Sequence, residues 1–374
     1  MKQFVFDRLV DSENICNLQR EQQVLRDAVA SGHNMVVYGP RNYGKTSVVR
    51  NITIEEFRRT GGRRFVLFAD LLGVRSMQSL TRRLSGSLQR SFAASFPVRS
   101  LLDNASRFLG ALRPEIALDP QTGSPSLSLH TRETEPSRNL QTLWDHIAGI
   151  TEEVDSLIVL DEFQDVAFID EAAAQLRSCL EGLGATPILL LGSKRHMLAD
   201  LFAAPGAPLS AWGSDLEFLP IRHDDYHRYM EERFRPHGLT IPREVAATLQ
   251  DEMQRVPEAI NRLCAQILEL HQAVEIDQAM VRAALVKLLE NREGRFAAYL
   301  SAFSGTDESV LTEIARRERV AHPQSKGFLA NVGLSSRTVA LSVKRLWDRG
   351  VIEHVAGSYR MADPLLAAYL RQYR

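Results

Sequence analysis

The sequence lacks the features that mark several large protein classes. Its 374 residues include only three cysteines, Cys16, Cys179 and Cys264, far apart and in no paired spacing. That excludes a disulfide framework or a zinc ribbon and fits a reducing, cytoplasmic compartment. No apolar run approaches about 18 residues, and the opening MKQFVFDRLVDSEN has no secretory hydrophobic stretch, so no membrane association is expected. An excess of one charge is missing too. Lys+Arg number 45 against 46 Asp+Glu, a formal net charge of −1, so any basic surface must be local. The ten histidines show no H-E-x-x-H or cysteine–histidine spacing, and neither G-x-S-x-G, a dinucleotide fingerprint nor an internal repeat occurs. The composition, 44% hydrophobic and 24% charged, is that of an ordinary globular chain, long enough for two or three domains.

Residues 39–47 read GPRNYGKTS, directly after the apolar run Met35-Val36-Val37-Tyr38. The spacing G-x-x-x-x-G-K-T is that of a phosphate cradle between a strand and a helix N-terminus, and a helix-compatible segment from Thr46 to Arg58 follows. The expected nucleotide contacts are Gly39, Pro40, Arg41, Asn42, Tyr43, Gly44, Lys45, Thr46 and Ser47. In such a loop the lysine, Lys45, reaches the β- and γ-phosphate oxygens, and the Thr46 hydroxyl ligates Mg²⁺. Arg41 is left open between phosphate and solvent. Tyr43 is expected on the exposed surface, with stacking near a neighbouring element as the alternative.

An amphipathic stretch, Arg20 to Ala30, precedes the loop. From 34 to about 220, apolar runs at 35–38, 64–71, 156–163, 187–193 and 215–221 alternate with helical patterns, as in a parallel sheet within an α/β layer structure. Residues 112–133 alternate apolar and polar on both sides of Pro-Gln-Thr-Gly and predict a hairpin inserted within that sheet. The expected organisation is an α/β P-loop core over 1–221, an all-α lid over 222–303 and a third domain over 304–374.

A phosphate loop needs a second metal contact and a group that orients water. Leu157-Ile158-Val159-Leu160 delivers Asp161 and Glu162 to the end of a buried strand, where open α/β sheets bind ligands. Asp161 is expected to act on Mg²⁺ and Glu162 to polarise the water that attacks the γ-phosphate of ATP. The next strand ends at Ser193, placed to sense that phosphate. Gln164 is left open between a contact to the water and an ordinary surface residue.

Together GPRNYGKTS, LDEFQ (160–164) and LLLGS (189–193) resemble the archaeal-type predicted ATPases, on the AAA+/STAND side of the P-loop NTPases. The resemblance covers most of the chain. It implies that Arg20, in Arg20-Glu21, flanks the adenine, and that Pro257, in Val256-Pro257-Glu258, lies near the nucleotide as part of a lid motif. The family often carries Gly-Arg before its last strand, but here Trp212-Gly213-Ser214-Asp215 stands there. Arg195, Arg255 and Arg262 are the candidate substitutes. Loss of an arginine finger, a contribution of roughly 10³- to 10⁵-fold, would leave a slow ATPase suited to switching.

Residues 304–374 predict a winged helix: three helical pieces, the short link Gly333-Leu334-Ser335 with Ser335 as N-cap, and a small wing around Ala356-Gly357-Ser358-Tyr359. From 305 onward eleven Lys/Arg face seven Asp/Glu, a local balance of +4 against −5 for the remainder. Ser336, Arg337, Thr338, Lys344 and Arg345 are the candidate contacts to double-stranded DNA. The alternative is a signalling or defence scaffold that self-associates, with a winged helix that clamps the core or holds a protein partner.

Overall fold

The computed structural model describes residues 2–95, 114–118, 125–129, 136–270 and 274–374. They divide into two compact units: Leu18–Pro40 with Gly44–Leu219, and Met1–Asn17 with Arg41–Tyr43 and Pro220–Arg374.

The first unit contains strands β1 (Met35–Tyr38), β2 (Arg64–Asp70), β3 (Pro114–Leu118), β4 (Pro125–Leu129), β5 (Asp155–Asp161), β6 (Ile188–Gly192) and β7 (Ser214–Glu217). Five of them form one parallel sheet in the order β2-β5-β6-β1-β7. Helices on its faces explain why β5 and β6 are nearly unbroken Leu/Ile/Val runs. Helices Met77–Ser95 and Pro136–Glu153 contribute Leu84, Leu88, Phe92, Trp144 and Ile147 to a core shared with Phe65, Leu67, Ile158 and Leu160. Each such side chain contributes about 1.5–3 kcal/mol on burial. The stretch before the loop is a helix over Gln19–Ala30, with Leu25 and Ala28 buried.

Two details differ from the sequence pattern. The last run is a strand only over Ser214–Glu217; Phe218 still donates its N–H to Tyr38 O at 2.8 Å, and Pro220, with no N–H, cannot extend the ladder. Strands β3 and β4 pair antiparallel with one another in their own two-stranded sheet, apart from the five-stranded one. The rest of 112–133 lies outside the described residues.

In the second unit, helices His223–Phe234, Arg243–Glu252, Pro257–Leu270, Gln278–Glu290 and Glu293–Leu300 precede the C-terminal module. The N-terminal segment is tied to them. Phe4 packs on Phe234 with ring centroids 4.9 Å apart, and buried Arg233 donates to the carbonyls of Gln3 (2.9 Å) and Tyr229 (3.1 Å). The C-terminal module runs Gly305–Arg317, Lys326–Val332, Ser336–Asp348, β8 (Ile352–Val355), β9 (Ser358–Met361) and Pro364–Tyr373. A bridge from Val320 to Tyr359 adds a third strand position to the wing. Ser304 and Ser335 accept from the N–H of Asp307 and Thr338, each at 3.2 Å, and so fix two helix starts. The architecture is a parallel five-stranded α/β core, a helical lid and a C-terminal winged helix, as the sequence pattern implies. Among the described residues, no helix is long and apolar enough to cross a membrane.

Candidate nucleotide site

Strands β1, β5 and β6 end side by side, at Tyr38, Asp161 and Gly192, and each is followed by a chemically distinctive residue. After β1 the chain turns sharply at Gly39. A Cβ there would lie 2.8 Å from the Phe218 carbonyl oxygen, closer than real side chains come. Gly44, at φ +86°, adopts the left-handed conformation that opens the helix Lys45–Val48. This helix passes through a π-type turn at Val49–Thr53 and resumes at Ile54–Arg59. The Lys45 ammonium donates to the carbonyls of Gly39 (2.8 Å) and Pro40 (2.7 Å), which keeps it folded over the loop and only 7% exposed.

The Thr46 hydroxyl donates to Asp161 Oδ2 at 2.8 Å, so the loop and β5 meet across the intervening β6. Burial pushes the Asp161 carboxyl above its ordinary range; the Thr46 hydrogen bond opposes the shift and the charge of neighbouring Glu162 adds to it. A buried carboxylate beside a hydroxyl is a pair of hard oxygen donors. That suits Mg²⁺, which takes one or two protein ligands and fills its shell with water and phosphate oxygens.

Glu162 sits at φ 51°, ψ 40°, a left-handed conformation for a residue with a side chain. Its N–H donates to Asp161 Oδ1 at 2.9 Å. Its carboxylate is clamped from two sides: Gln164 Nε2 donates to Oε2 at 2.5 Å and Ser193 Oγ donates to the same atom at 2.9 Å. The Ser193 N–H in turn donates to Gln164 Oε1 at 3.1 Å, closing a three-residue ring of hydrogen bonds. Gln164 is fully buried, which removes the surface alternative that the sequence left open. One signal was available. A Cβ on Gly192 would meet Gln164 Oε1 at 2.6 Å, so the glycine before Ser193 marks a side chain arriving from elsewhere.

Lys45, Thr46, Asp161, Glu162 and Ser193 thus converge at one end of the sheet, and the neighbouring Ser47 is buried. Other candidates stand differently. Arg20 is exposed and pairs with Glu21 at 3.6 Å. Arg41, Asn42 and Tyr43 belong with the second unit. There Tyr43 is 2% exposed, contrary to its expected surface position; its hydroxyl donates to the Gln254 carbonyl at 3.4 Å and also bonds Arg360. The Pro257 carbonyl accepts from Tyr226 at 3.1 Å at the start of a helix. Arg255 donates to the carbonyls of Pro220 and Ile221, and Arg262 pairs with Glu258 and Asp7. The Arg195 side chain lies outside those described. On the helix Ser336–Asp348, Ser336, Arg337, Lys344 and Arg345 are exposed, and Arg345 is also held by Asp307 at 2.6 Å. Thr338 hydrogen-bonds the Ser335 hydroxyl at 2.8 Å.

A P-loop sheet with the order β2-β5-β6-β1-β7, a helical lid and a winged helix define the AAA+-type fold. Residues 294–372 match the family described as a probable winged helix domain. The chain is similar to the Walker-type ATPase PABY2304 of Pyrococcus abyssi, at 18% identity and TM-score 0.66, over 98% of this chain and 99% of that one. It is also similar to the Aeropyrum pernix ORC1 protein solved in complex with DNA, at 14% identity and TM-score 0.55, over 99% and 97% of the two chains. The A. pernix ORC2 protein follows at 14% identity and TM-score 0.51, over 95% and 91%. These likenesses concern the fold. No curated protein matches the chain.

Proposed function

We propose that the chain binds ATP with Mg²⁺ and hydrolyses it slowly, as a nucleotide-controlled switch coupled to double-stranded DNA through its winged helix. The observation that carries the reading is the Glu162 carboxylate, held by Gln164 and Ser193 next to the Thr46–Asp161 pair. In this scheme Lys45 and the loop amides bind the phosphates. Thr46 and Asp161 would hold Mg²⁺, which supplies charge neutralisation of the phosphate oxygens. Glu162 orients the attacking water and accepts its proton. Ser193, bonded to Glu162, would exchange that bond for one to the terminal phosphate and so report which nucleotide is present. Among the candidates whose side chains are described, Arg255 and Arg262 are engaged by carbonyls and carboxylates of their own unit, which supports slow turnover.

Glu162→Gln should keep ATP affinity while hydrolysis falls about 10²- to 10⁴-fold. Normal hydrolysis by this variant would remove Glu162 from the role of base.

The coupling to DNA is supported by exposed Ser336, Arg337 and Lys344 and by the local excess of positive charge. Its test is a titration of labelled duplex at two salt concentrations with ATP, ADP or no nucleotide. Affinity should depend on nucleotide, fall with salt at a log–log slope near −0.9 per phosphate contact, and drop in Arg337→Ala/Lys344→Ala. The scaffold alternative gains weight from Arg345, whose charge is engaged by Asp307. It gives no salt-dependent DNA affinity and a change in molecular mass on nucleotide binding.

A further inference from the structure

Within the second unit a cavity of about 500 Å³ is lined by the helices Pro257–Leu270 and Glu293–Leu300, the turn at Gly350–Val351 and the start of the last helix. Four guanidinium groups line it, Arg41, Arg262, Arg292 and Arg295, against two carboxylates, Glu258 and Asp363. The acids are largely committed. Glu258 pairs with Arg262 at 2.7 Å, and Asp363 caps the last helix by accepting from the N–H of Leu365 (2.9 Å) and Leu366 (3.2 Å). Asp7 is a second partner of Arg262. Arg292 and Arg295 make no ion pair among the described residues, and Arg292 Nε is buried without a hydrogen-bond partner. Cations brought together repel one another: burial, then Arg292 and Arg295, pull Arg262 down to about 10, and burial, then Arg295, also lowers Arg292. A folded chain that keeps such a cluster around a cavity has a use for an anion there.

The geometry points to an oxyanion site, bordered by Arg41 and Asn42 of the loop that follows β1 but not using Lys45, in which Arg292 and Arg295 bind a phosphoryl group beside Arg262. Guanidinium forks match phosphate oxygens in two parallel bonds, and Arg292 Nε supplies a donor with no other use. The cavity exceeds the size of one phosphate, so pyrophosphate or a nucleotide tail also fits the chemistry.

The test is calorimetric titration of the full chain with inorganic phosphate, with pyrophosphate and with ATP. Each ligand is added to wild type, to Lys45→Ala and to Arg292→Gln/Arg295→Gln. Lys45→Ala should keep a site for phosphate or pyrophosphate with the affinity it has in wild type, and at that site the double variant should bind at least about tenfold more weakly. Anion binding that disappears in Lys45→Ala, or that survives the double substitution unchanged, overturns the site. If the double variant unfolds, Arg295→Gln alone, at an exposed position, gives the same reading. ATP reports the phosphate loop separately: its loss in Lys45→Ala with phosphate binding retained keeps the two sites distinct.

Discussion

Gly192 and Gln164 are 28 positions apart, yet each accounts for the other. Replacing Gly192 with alanine puts a methyl carbon 2.6 Å from Gln164 Oε1 and 2.6 Å from Leu198 Cδ1. The Leu198 contact is with the far end of a flexible side chain and relieves easily. The Gln164 contact does not, because both ends of that amide are bonded. Overpacking of this kind costs about 1–3 kcal/mol. Gln164→Ala removes a hydrogen bond to the Glu162 side chain and leaves the Ser193 N–H without its acceptor, together about 3 kcal/mol. In the double variant the added methyl occupies space that Gln164 has vacated, so the two losses should overlap by at least about 1 kcal/mol. The measurement is urea unfolding followed by tryptophan fluorescence in a Trp347→Phe background. Of the three tryptophans, this leaves Trp144 and Trp212, both buried in the first unit. Additivity within about 0.5 kcal/mol would show that Leu198, not Gln164, sets the demand for glycine.

Two further outcomes follow from local contacts. Lys45→Ala should weaken ATP binding by at least about tenfold, the contribution of one charge-assisted hydrogen bond; calorimetric affinity within about threefold of wild type would place the phosphates elsewhere. In the winged helix, burial pushes Asp307 up, but hydrogen bonds from Arg345, Ser342 and Ser304 outweigh it and hold the carboxyl below its ordinary range. A depressed folded-state value stabilises the fold at pH above the unfolded value, about 3.9, and that contribution is lost as pH falls through the folded value. Asp307→Asn should therefore cost about 1–3 kcal/mol near neutral pH, read from Trp347 fluorescence, and the gap should close in acid. A gap independent of pH would refute the assignment.

What was legible in the sequence is what one segment determines by itself. MVVY followed by GPRNYGKTS, and LIVLDE, carry strand, turn and chemistry in consecutive residues, so the sheet and the Thr46–Asp161–Glu162 grouping could be read directly. Ser335 and its helix were legible for the same reason, since a cap acts over three residues. Gln164 and Tyr43 were not. Each is buried by partners remote in the chain, Ser193 for one, Gln254 and Arg360 for the other, and a polar or aromatic residue in a loop gives no local sign of such a neighbour. The ion pair of Arg345, a candidate DNA contact, was not legible for the same reason: its partner, Asp307, is 38 residues away. The hairpin alternation gave the pairing of β3 with β4 but not its separateness from the main sheet, because alternation specifies faces and not neighbours.

The position of β6 between β1 and β5 makes the sheet a measuring device. Neighbouring strands are held about 4.8 Å apart by main-chain hydrogen bonds, so the loop-bearing and acid-bearing strands stand about 10 Å apart whatever side chains they carry. Side-chain replacement can retune affinity or rate at this site, but the gauge between cradle and acid is set by backbone. Altering it would take insertion or removal of a strand.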